Sequence, residues 1–114
     1  FEAECSIPFD HIGDRGDASM YAYGASLYAL YRGDRRIAEE LWPAIRWCTE
    51  YIRRKTNAQG VVESKTDELE GRFSTGTANL STSTLAYGGL VHAADLADAM
   101  GHDAAVGRSL RDRA

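Results

Sequence analysis

The sequence predicts an all-α fold, and three observations carry that expectation. Apolar and small residues recur at spacings of three and four over long stretches, helix-ending and helix-capping residues stand at the junctions, and no sheet-forming alternation occurs anywhere. The chain has 114 residues, is 44% hydrophobic and 26% charged, and holds 11 Gly but only 2 Pro. That is the composition of one globular domain or part of one, not of a disordered or collagen-like chain.

Residues 1–17 mix Gly with charged positions without a sustained period and read as an ordered loop. From Ala18 to about Tyr31, the series Met20, Tyr23, Gly24, Leu27, Leu30, Tyr31 marks a first helix, capped by Asp17 or Ser19. Gly33 suits the left-handed position that ends it, and Asp34 can cap the next helix. The second helix runs from about Arg35 to Lys55 on the stripe Ile37, Leu41, Ile45, Cys48, Ile52. Pro43 removes a backbone donor inside that stripe, so the expectation is a kinked helix, or a short turn followed by a new helix with Pro43 in its first turn. Cys5 and Cys48 permit one disulfide without demanding it, and the place of Cys48 on the stripe favours a buried, reduced thiol. Arg53-Arg54-Lys55 closes the helix with cations that complement its dipole.

After Thr56–Gly60, the run Val61-Val62-Glu63-Ser64 is too short for more than a strand-like bridge, and a polar loop follows to about Asn79. The third helix spans about Ser81 to Met100 on the stripe Leu85, Gly89, Ala93, Leu96, Met100, closed by Gly101. Asp103 caps a fourth helix from near Ala104. Ala22-Tyr23-Gly24-Ala25 aligns with Ala86-Tyr87-Gly88-Gly89 at an offset of 64, with Ser19 matching Ser83 and Ala29 matching Ala93. The first and third helices are therefore equivalent, and the period covers two helices with their loops, the pattern of an array of antiparallel αα-hairpins. The opening at Phe1 without Met and the stop at Ala114 after a charged run read as cuts in a longer protein.

Charge and motifs exclude several function classes. Seventeen acidic against 13 basic residues, net −4, offer no clustered basic face for nucleic acid. No apolar run approaches the roughly 18 residues of a membrane span. There is no phosphate loop, dinucleotide fingerprint or Gly-x-Ser-x-Gly elbow. His11, His92 and His102 lack metal-ligand spacing, so neither metal nor cofactor is expected. Arg15-Gly16-Asp17 and Arg32-Gly33-Asp34 match an adhesion tripeptide, but helix punctuation accounts for them. Asn79-Leu80-Ser81 fits the glycosylation acceptor pattern.

Loops that precede equivalent helices emerge at the same end of a hairpin array. One is Asp10–Asp17, with Asp10, His11, Asp14 and Arg15; the other is Thr66–Phe73, with Asp67, Glu68, Glu70 and Arg72. Carboxylates, an Arg, an aromatic residue and Gly together make a polar pocket able to bind hydroxyls and stack on a ring. Carboxylates converging from two loops can serve as general acid and base, the chemistry of glycoside cleavage. The same acidic residues can instead cap helices and pair with Arg15 and Arg72.

Several further residues carry a family resemblance. Gly33-Asp34, Ala38-x-x-Leu41-Trp42-Pro43-x-Ile45, Tyr51-Ile52, Gly60-Val61-Val62, Asp67–Phe73 and Asn79-Leu80-Ser81-Thr82 come in the order seen in the six-hairpin glycosidases. The chain from Asp10 to Gly101 resembles part of these (α/α)6 toroids, which include α-L-rhamnosidase-like and glucoamylase-like catalytic domains. The resemblance implies about two hairpins of a larger toroid, whose remaining helices would be partners, and a carbohydrate substrate. It implies Glu68, Asp67 and Glu70 as catalytic candidates, with Glu68 as general acid, and hydrolysis by inversion. Asp10, His11, Asp14, Arg15 and Arg72 would then bind sugar hydroxyls. Two other readings stand beside it: a non-catalytic helical repeat module that binds protein or carbohydrate, and lyase or isomerase chemistry on sugars.

Overall fold

Because every residue from Arg15 to Arg32 can hold helical geometry, including the buried Gly16, the first helix starts three residues earlier than the periodicity predicts. The computed structural model describes residues 14–64 and 76–114. Among these the chain is all-helical and has no strand: α1 (Arg15–Arg32), α2 (Arg35–Lys55), α3 (Leu80–Ala99) and α4 (Ala104–Arg111). Asp14, not Asp17 or Ser19, is the residue before α1, and its side chain makes no capping bond. Asp17 falls in the first turn, where a carboxylate complements the dipole, and Ser19 Oγ donates to the Arg15 carbonyl at 2.6 Å.

The other boundaries follow the sequence closely. Gly33 ends α1 at φ 61°, and Asp34 accepts from the Arg36 N–H at 3.0 Å to start α2. Pro43 lies within one continuous helix, not at a break between two, because the stripe on both sides of it is fixed to the same core, through Ala38 before it and Ile45 and Ile52 after it. Thr56 and Val62 form an isolated antiparallel bridge. Asn79 caps α3 by accepting from Thr82 N–H at 2.8 Å, and Asp103 caps α4 from Ala105 N–H at 2.8 Å.

The large residues spaced along α1 are not its buried face. Met20, Tyr23, Tyr28 and Tyr31 are exposed, while Ala18, Ser19, Ala22, Ser26 and Ala29 are buried. Small side chains are inside because α1 lies close against two helices. A Cβ on Gly89 of α3 would stand only 3.1 Å from the Ser19 carbonyl oxygen and 3.2 Å from Ala22 Cβ, so glycine permits the approach.

The contacts also fix direction. Ser19 and Ala22 meet Gly89, Tyr23 meets Gly88 and His92, and Ala29 and Leu30 lie level with Leu96 and Met100. Ascending numbers pair with ascending numbers, so α1 and α3 are parallel neighbours. Ala18 and Ala22, early in α1, cluster with Cys48 and Tyr51, late in α2, so α1 and α2 form an antiparallel hairpin. Gly107 abuts Asp98, while Arg111 donates to Asp95 and Asp98 at 2.7 and 2.8 Å, which makes α3 and α4 antiparallel as well. Between the hairpins lies one core of Ile45, Ile52, Leu90, Leu96, Met100 and Leu110, in which each large side chain contributes on the order of 1.5–3 kcal/mol by leaving water.

Candidate functional site

Parallel packing of α1 and α3 brings their N-termini to one end of the molecule, and the C-terminus of α2 arrives there too. Asp14 and Arg15, both half-buried, start α1. The Ala18 N–H closes the first turn on the Asp14 carbonyl at 3.0 Å. Beside them, Ser64 N–H donates to the Thr77 carbonyl at 2.9 Å, and Asn79 Oδ1 accepts from Ser81 Oγ and Thr82 N–H, both at 2.8 Å. The bond between Ser64 and Thr77 pins together the two points from which residues 65–75 depart.

Of the residues assigned to this end from sequence, Asp14 immediately precedes α1, and Arg15, expected in the loop before it, is the first residue of the helix. Asp67, Glu68, Glu70, Arg72, Asp10 and His11, like Cys5, lie outside the described residues. The last turn of α2 adds cations to the same end. Arg53 donates to Glu50 at 2.6 Å and holds that carboxyl below its ordinary range, while Lys55 Nζ and Arg54 lie 5.6 and 6.0 Å from the centre of the Tyr51 ring. Tyr51 stacks on Trp47 at 5.4 Å. These residues set two aromatic rings and positive charge at the end of α2, beside the first turns of α1.

A concavity of about 410 Å³ lies elsewhere, along the seam of α2 and α4. Trp42, Arg46, Glu50 and Arg53 line it from α2 and Arg113 from the far side. Arg113 donates to the Thr49 carbonyl at 3.4 Å, and burial lowers its guanidinium pKa. The sequence held a signal for this seam, since 42, 46, 49, 50 and 53 share one helical face. Trp42 also stacks on His102 at 4.9 Å, which packs α2 against the α3–α4 turn.

Other sequence readings resolve simply. Cys48 is free and fully buried, and burial pushes its thiol up to about 11, which makes it inert. Among the described residues no three of His, Cys, Asp and Glu gather as a metal site requires, and no helix is long and apolar enough to cross a membrane. In comparisons with known proteins, no family model matches the chain, and no curated protein or solved structure matches it either.

Proposed function

We propose that the end shared by the N-termini of α1 and α3 binds a carbohydrate and that carboxylates of the segment 66–73 cleave its glycosidic bond. The observation that supports this reading is the parallel, adjacent packing of α1 and α3, seen in Ser19 and Ala22 on Gly89 and Tyr23 on His92. Asp14 immediately precedes α1, and the segment 66–73 falls between Ser64 and Thr77, which are bonded to each other ahead of α3. Glu68 is the proposed general acid, with Asp67 or Glu70 as its ionised partner, and Asp14 and Arg15 at the start of α1 are proposed to hold hydroxyls. The cations Arg54 and Lys55 at the end of α2 favour ionisation of a carboxylate brought near them, and the like charge of that carboxylate keeps its neighbour protonated to donate.

A test measures release of nitrophenol from a panel of nitrophenyl glycosides. The proposal predicts turnover that Glu68→Gln and Asp67→Asn abolish and that Glu39→Gln, a surface residue paired with Arg35, leaves intact. Full activity in both loop variants would overturn the assignment. A second reading, a helical repeat module that binds without catalysis, is favoured by the exposed aromatic residues of α1 and α3; sugar binding without turnover in every variant would select it.

A further inference from the structure

The repeat makes a Tyr-on-Gly contact twice available and uses it once. Within the chain, the Tyr23 ring of α1 occupies the space where a Cβ on Gly88 of α3 would stand. The partners related to these by the offset of 64 are Tyr87 and Gly24, and both are open. Tyr87 is 57% exposed against 36% for Tyr23, and nothing among the described residues lies within 4 Å of a Cβ built on Gly24.

Each open residue stands in an apolar edge. On α3, Leu80 is 83% exposed and lies seven residues before Tyr87, on one stripe. The eight-residue α4 packs on the C-terminal half of α3, where Arg111 pairs with Asp95 and Asp98, and leaves Leu80 and Tyr87 exposed. On α1, Met20, Tyr28 and Tyr31 surround Gly24 on the side away from α3. Exposed large hydrophobic residues among the described ones are confined to these two helices except for Val61.

We propose that the chain associates with a second copy of itself head to tail, Tyr87 of one copy seating over Gly24 of the next as Tyr23 seats over Gly88 within each copy. The occupant is a second copy because the two edges are complementary to each other and not to themselves: the knob is on α3 and the hole on α1. Such a contact is heterologous, so it extends to rings or chains instead of stopping at a two-fold dimer.

Sedimentation velocity on the full chain over increasing concentration tests this, with Tyr87→Ser and Gly24→Leu compared alone and mixed. Both positions are exposed, and leucine is a better helix former than glycine, so both variants fold; unchanged helical circular dichroism checks it. The wild-type chain is expected to grow in mass with concentration, and each variant alone to remain monomeric. An equimolar mixture is expected to give a one-to-one dimer and nothing larger, because Gly24→Leu keeps the knob and Tyr87→Ser keeps the hole. A wild-type chain monomeric throughout, variants that assemble like wild type, or a mixture that stays monomeric would each overturn the proposal.

Discussion

Gly88 lies under a tyrosine ring, whereas Gly24, its counterpart one repeat earlier, has open space around it among the described residues. The two helices that carry them share a sequence pattern and much of a buried face: Ala22 and Ala86 are both buried, as are Ala29 and Ala93. What differs is the neighbour. Helix α3 has α1 against its glycine side, while the glycine side of α1 faces solvent. The same residues thus act as core on one helix and as surface on the other, and place in the array decides which.

The largest way to break the frame common to both helices is to remove a side chain from the core between the hairpins. Ile52 is fully buried, and Ile52→Ala is expected to cost about 2–5 kcal/mol in denaturant unfolding. Tyr87→Ala, at the free edge of α3, should stay within about 0.5 kcal/mol of wild type at concentrations where the chain is monomeric.

Alkaline pH gives the next effect. The Cys48 thiol has an ordinary value of 9.0, and burial raises it to about 11 in the fold. Between these values the folded state holds a proton that the unfolded state has released. Stability present below pH 9 is therefore lost as pH rises towards 11, by on the order of 2 kcal/mol. Unfolding of wild type and Cys48→Ala compared across that window should show the extra slope in wild type alone.

The smallest effects sharpen the glycine comparison itself. Gly24→Ala should stabilise the chain by about 0.5–1 kcal/mol, since alanine is the better helix former and its Cβ meets nothing. Gly88→Ala should fail to show that gain, because its Cβ must displace the Tyr23 ring. Equal shifts in melting temperature for the two would remove the difference between the helices.

Much of this architecture was legible in the sequence because it is written locally. Asp34 and Asp103 act as caps at the helix starts, Gly33 ends a helix at positive φ, and Cys48 sits on the buried stripe. The buried face of α1 was not legible. Periodicity follows large apolar residues, and here close approach of Gly89 to Ser19 puts the small ones inside and Met20 and Tyr31 outside. The start of α1 was hidden for a related reason: Arg15-Gly16-Asp17 carries no apolar period, yet Gly16 is a buried helical residue. At the candidate site, the repeat correctly implied that α1 and α3 start at one end, because equivalent helices in a hairpin array run the same way. The Trp42–Arg113 seam went unread, since it forms only when α4 folds back beside α2.

That common end is the basis of the functional reading, and the direction of α3 relative to α1 can be measured. Spin labels on cysteines placed at the exposed positions Asp17 and Thr84, or Asp17 and Ala99, in a Cys5→Ser, Cys48→Ala background, give two interspin distances. Residues 84 and 99 are separated by about 22 Å along the helix axis at roughly 1.5 Å per residue. Parallel packing predicts that the 17–84 distance is much the shorter of the two; a 17–99 distance equal to it or shorter would contradict the account.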